Sequence, residues 1–103
     1  MFLVTTVVYP PDKSIIVAEK FIEVMAKELP PFIKRLHVLG DSRMDEGVKV
    51  LSVFEVEDAR IKDGIIELTK MYVKFNGIEG FRYEIETMLT AQESLAALGM
   101  KTN

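Results

Sequence analysis

A chain of 103 residues supports one domain with one core, and 49 % hydrophobic against 28 % charged residues places it among globular rather than disordered chains. A net charge of −3 and a pI near 5.2 leave no basic surface to neutralise phosphates, which argues against a nucleic-acid partner. Cysteine is absent, which excludes disulfides, thiolate catalysis and Cys-ligated zinc or iron–sulfur sites.

Phe2 to Tyr9 reads as a first strand, because Val4, Thr5, Thr6, Val7 and Val8 favour the pleated backbone. Pro10 and Pro11 stop it, since proline offers no amide hydrogen to a ladder. Asp12 or Ser14 then stands where a cap is needed for a helix over Ile15 to Leu29. Its apolar stripe is Ile15, Ala18, Ile22, Met25 and Leu29, widened by Phe21, with Glu19, Lys20, Glu23 and Lys27 on the remainder. Pro30 and Pro31 end it. Two strands follow, Lys34 to Gly40 and Val48 to Glu57. The loop from Asp41 to Gly47 joins them; its Asp41, Asp45 and Glu46 lack the spacing of a calcium loop and read as a solvated hairpin connection.

Asp58 is placed to cap a second helix, Ile61 to Phe75, with the stripe Ile61, Ile65, Leu68, Tyr72 and Phe75. Gly64 inside it marks close packing on the sheet or, alternatively, a ligand that needs backbone access. Asn76 and Gly77 suggest a left-handed termination. The last strand is Phe81 to Leu89. Thr90-Ala91-Gln92-Glu93 then fits a capping box opening a short helix that ends at Gly99. Leu95, Leu98 and Met100 give this tail an apolar edge that should dock on its own subunit or on a partner.

Strand, helix, strand, strand, helix, strand is the order of the ferredoxin-like α+β fold over residues 1–103: a four-stranded antiparallel sheet with both helices on one face, followed by the short C-terminal helix. The first and third strands belong in the middle, expected to run parallel, and the second and fourth at the edges. Alternation assigns Val4, Thr6, Val8, Leu36, Val38, Val50, Ser52, Phe54, Tyr83 and Ile85 to the helix-covered face. The open face then holds Leu3, Thr5, Val7, Tyr9, Leu39, Leu51, Val53 and Met88, with Arg35, His37, Glu55, Arg82, Glu84 and Glu86. An apolar centre with a polar rim is the anatomy of an interface. A mean hydropathy of +0.17, high for so small a monomer, points the same way. A homodimer is expected, with Leu3, Val7, Leu51 and Val53 central and with Arg35 and His37 approaching Glu84 and Glu86 of the other subunit.

Over residues 2–90 this strand order and face polarity resemble the dimeric α/β-barrel superfamily. The stretch Gly80-Phe81-Arg82-Tyr83-Glu84-Ile85-Glu86 with Leu89-Thr90-Ala91-Gln92-Glu93-Ser94-Leu95 looks like the C-terminal part of its relatives. That superfamily includes cofactor-free monooxygenases, haem-degrading enzymes, lactone isomerases and ligand-sensing regulator domains. The resemblance implies a fold and a dimer, and transfers no activity.

His37, the single histidine, is the candidate general base, against a structural role on an edge strand. One histidine cannot build a multi-histidine metal site, though it could ligate a haem. Glu84 and Glu86 point the same way, ~7 Å apart along the strand, as an acid–base pair or as edge charges. Tyr83, like Tyr9 and Tyr72, either donates to a ligand or packs. Without a convergent polar cluster, the expected function is a non-catalytic homodimeric module for a small apolar ligand or another partner, needing no cofactor. The alternative is a cofactor-independent oxygenase- or isomerase-like enzyme acting on a small apolar substrate. No basic residue precedes the apolar N-terminal stretch, and no apolar run reaches the ~18 residues of a membrane span, so a soluble cytoplasmic chain is expected.

Overall fold

Seven elements follow one another in the computed structural model, which describes residues 1–43 and 47–100. They are β1 (Phe2–Tyr9), α1 (Ser14–Met25), β2 (Ile33–Arg43), β3 (Gly47–Val56), α2 (Ile61–Tyr72), β4 (Arg82–Met88) and α3 (Ala91–Ala97). Short 3-10 turns lead into α1 and α2, and another extends α2 to Phe75. The sheet order is β2-β3-β1-β4 with every neighbouring pair antiparallel, the ferredoxin-like arrangement that the element order predicts. β1 and β3 therefore run in opposite directions, not parallel. The helical crossover returns β2 in the direction of β1, and the β2–β3 hairpin then reverses the chain. Asp45 and Glu46 of that hairpin lie outside the described residues.

Helices and sheet share one core: Leu3, Val7 and Tyr9 from β1, Phe54 and Val56 from β3, Val17 and Val24 from α1, and Leu68, Met71, Tyr72 and Phe75 from α2 and its extension. This inverts the expected faces of β1. Leu3, Thr5 and Val7 are 0 %, 0 % and 1 % exposed beneath the helices, so Val4, Thr6 and Val8 belong to the open face. Both parities of β1 are apolar, and a strand with two apolar faces does not announce which one is covered. The decision falls to polar chemistry, because the Thr5 and Tyr72 hydroxyls hydrogen-bond at 2.6 Å inside the core.

The stripe of α1 is displaced in the same way. Val17 and Val24 are buried and Phe21 half-buried, whereas Ile15 and Ile22 of the expected stripe are 75 % and 73 % exposed. Apolar residues occur on most of this helix's circumference, so two stripes compete and only one meets the sheet. In α2, Leu68, Tyr72 and Phe75 are buried as expected, while Ile65 remains 37 % exposed. Gly64 is a close approach: a Cβ there would sit 3.1 Å from Val56 and 3.2 Å from Leu3.

The expected caps differ. Asp58 instead accepts a hydrogen bond from the Met1 ammonium at 2.7 Å, and Ser14 donates to the Pro11 carbonyl oxygen. Helix α1 ends at Met25, before the two prolines, and Asn76 closes α2's extension with ordinary right-handed backbone angles. The capping box at Thr90 and Glu93 forms as predicted, and Gly99 takes the left-handed φ of +78° past the helix. On the tail, Leu98 and Met100 remain 75 % and 57 % exposed.

Candidate functional site

The space where an enzyme of this fold could enclose a substrate, between helices and sheet, is filled. A void of about 10 Å³ remains there, lined by Phe21, Met25, Arg35, Val38 and neighbouring core residues. That is the room for one water. Among the described residues every buried side-chain nitrogen and oxygen has a hydrogen-bond partner.

Shallow hollows lie on the outside of the molecule, among them one of about 290 Å³ between the ends of α1 and α2 and two on the open face, whose layout follows from the ladder register. Reading from β2 through β3 and β1 to β4, one row is Asp41, Lys49, Val8 and Arg82; the next is Leu39, Leu51, Thr6 and Glu84. The third is His37, Val53, Val4 and Glu86, and the fourth is Lys34, Glu55, Phe2 and Met88. A hollow of about 480 Å³ covers the β1–β4 side of the first two rows, lined by Thr6, Val8, Lys49, Arg82 and Glu84, with Phe81 and Tyr83. A second, of about 230 Å³, covers the β2–β3 side of the same rows, lined by Leu39, Gly40, Asp41, Lys49 and Leu51. Lys49 stands between them.

His37 lies on this face opposite Val53, exposed, at the β2 edge. Glu84 and Glu86 occupy the far edge, about three strand spacings or ~14 Å away, so His37 and the two carboxylates form no cluster within one chain. Leu51 and Val53 are half-buried on the open face as expected. Leu3 and Val7 are not there but in the core. Arg35 is also on the helix side: its guanidinium lies over the Phe54 ring at 5.5 Å and reaches the Met71 sulfur at 4.0 Å. The cause is a bulge between Arg35 and His37, which breaks the alternation and sends two residues of equal parity to opposite faces. Tyr83 stacks on Tyr72 at 5.3 Å between ring centroids, so its ring belongs to the core side although its segment borders the larger hollow.

Thr6, Val8 and Lys49 are the site residues that sequence reasoning missed. Lys49 alternates with Leu51 and Val53, which marks it as an open-face residue. Thr6 and Val8 follow only once the parity of β1 is known. Among the described residues no three His, Asp or Glu side chains gather to hold a metal ion, and no helix is long and apolar enough to cross a membrane.

No protein-family model matches the chain, and no curated protein matches it either. Among solved structures, a tripeptidase from Staphylococcus aureus subsp. aureus Mu50 is similar at 12 % identity with a TM-score of 0.45, over 97 % of this chain and 35 % of that one. The chain thus spans about a third of that protein's length, and a likeness of this degree carries no argument about activity.

Proposed function

We propose that this protein is a homodimeric binding module of the dimeric α/β-barrel kind, assembled through the open face of its sheet and holding a small organic molecule in the hollow that the face carries. The observation that carries this reading is surface area. The chain exposes 6990 Å², about 1,100 Å² more than the roughly 5,900 Å² expected of a folded monomer of this mass. An interface of standard size hides about 800 Å² per partner, which this surplus of exposed surface is large enough to supply. The dimensions agree: a radius of gyration of 15.4 Å exceeds the ~13 Å of a compact domain of this length.

The open face supplies the chemistry of an interface. Val4, Val8, Leu51 and Val53 occupy its two central strands, and the edges carry His37, Arg82, Glu84 and Glu86. The filled core favours a module over an enzyme with a cavity beneath its helices. The test pairs sedimentation with native mass spectrometry. Wild type should sediment as a dimer and Val53→Glu as a monomer, because a carboxylate at the centre would be buried unpaired. A small molecule retained by the native dimer should be lost from the variant. A well-folded wild-type monomer at micromolar concentration overturns the dimer. Turnover of an identified ligand that His37→Gln abolishes, with stability unchanged, would replace the module by a cofactor-independent enzyme.

A further inference from the structure

We propose that the hollow of about 480 Å³ on the β1–β4 side of the open face is a site for an organic monocarboxylate, with Lys49 and Arg82 gripping the carboxylate and Val8 beneath the apolar body. The assignment rests on the module reading above and adds the chemical class of the ligand. The register places the groups. Lys49, Val8 and Arg82 stand side by side on β3, β1 and β4. Two strand spacings, ~10 Å, separate the outer pair, and each carries its charge on a long apolar stem. The two heads can therefore lean inward over Val8 and meet on one carboxylate. Arg82 offers a planar fork of donors that matches the two carboxylate oxygens, and Lys49 a point charge.

The chain leaves these donors unused. Among the described residues, ion pairs join the Met1 ammonium to Asp58, Lys20 to Glu23, Arg60 to Asp63 and Lys70 to Glu67, and neither Lys49 nor Arg82 has a carboxylate within ion-pair distance. Asp41 stands across the ladder from Lys49 but lines only the smaller hollow, on the other side of that side chain. Thr6, two residues before Val8 on the same face, adds a hydroxyl to the floor of the larger one. Closing the face in a dimer takes both cations out of water, which costs least with a carboxylate between them.

The remaining lining narrows the class. Val8, Phe81 and Tyr83 offer apolar surface, in a hollow of the size that holds a small organic molecule. Glu84 is the acidic residue of the lining, across from Thr6 and ~7 Å along the strand from Arg82. Two cations and one carboxylate leave a single positive charge, which a monoanion neutralises and a dianion exceeds. Glu84 also repels a second acid group at the far end of the ligand, so the site favours one carboxylate on an apolar body over a dicarboxylate or a phosphate dianion.

An NMR titration of backbone amides tests the assignment, with hexanoate as the probe and hexan-1-ol, hexylamine and adipate as controls of the same chain length. Hexanoate should shift the amides of Val8, Lys49 and Arg82 saturably and bind more tightly than any control. Lys49→Gln and Arg82→Gln should each weaken it about fivefold, the effect of losing one charge-assisted contact at a half-open site. Arg82→Lys, which keeps the charge without the fork, should fall in between. Lys27→Gln, in the hollow at the helix ends, should bind as wild type does. Should a glutamine variant not fold, Lys49→Met and Arg82→Met retain the apolar stems and carry the same expectation. Equal binding of hexanoate and hexan-1-ol, unaffected by Lys49→Gln and Arg82→Gln, would overturn the carboxylate site and leave the module standing. Tighter binding of hexylamine or adipate would overturn it as well. No shift from any probe also overturns it, and native mass spectrometry of the retained molecule then decides the module reading separately.

Discussion

At the scale of single residues, the informative contact is the hydroxyl pair of Thr5 and Tyr72, 2.6 Å apart with both residues almost fully buried. Burial raises the Tyr72 pKa above the ordinary 10.0, partly offset by hydrogen bonds to Thr5 and Ser52 and by the nearby Arg35 charge. Thr5→Val removes one partner and retains the shape. It should cost about 1 kcal/mol in denaturant unfolding, the usual net worth of such a bond, with Ser52 limiting the loss. The pH dependence has a definite sign. A folded pKa above the unfolded one means that the Tyr72 contribution is fully present below pH ~10 and is lost as pH rises from there through the folded value. Tyr72→Phe should therefore flatten the decline in stability between pH 9 and pH 11. An unchanged slope in urea midpoints across that range would show the phenol titrating as if exposed.

At the scale of elements, the sequence period located every strand and helix but chose the wrong face twice. Strand order, sheet edges and the capping box at Thr90 were legible because each has a local signal: alternation, turn prolines, or a hydroxyl three residues before a glutamate. The facing of β1 and α1 was not, because both elements are apolar on more than one side and burial there is decided by what packs against them. Tyr72 held the missing clue. A buried phenol needs a polar partner, and Thr5 and Ser52 lie directly across the ladder from one another. The bulge at β2, which turns Arg35 onto Phe54, had no sequence signal that we recognise. The two stripes of α1 give a direct test. Val24→Ala should destabilise by ~1–3 kcal/mol through lost burial and the cavity left behind. Ile22→Lys, at a position 73 % exposed, should stay within about 0.5 kcal/mol. If Ile22→Lys proves as costly as Val24→Ala in thermal or urea unfolding, the outer stripe is covered in solution.

At the scale of the whole molecule, the charges at the two edges of the open face should set how two copies meet. Arg35 is withdrawn into the helix side, so His37, with Lys34 beyond it, is what β2 offers to the partner's Glu84 and Glu86. A partly exposed charge pair contributes ~0.2–1 kcal/mol, and exposed charges are screened over about 8–10 Å at ordinary ionic strength. Changing both glutamates to lysine should weaken dimerisation more than changing both to glutamine, and the difference should shrink as salt is added. The glutamine variant alone carries the sharper information. With β2 over β4, neutralising Glu84 and Glu86 removes attraction and raises the dissociation constant. With β4 over β4, the same change relieves repulsion between facing carboxylates and lowers it. Sedimentation equilibrium at low salt separates the two directions, and tighter association of Glu84→Gln/Glu86→Gln would reject the approach of β2 to the partner's β4 without questioning the dimer itself.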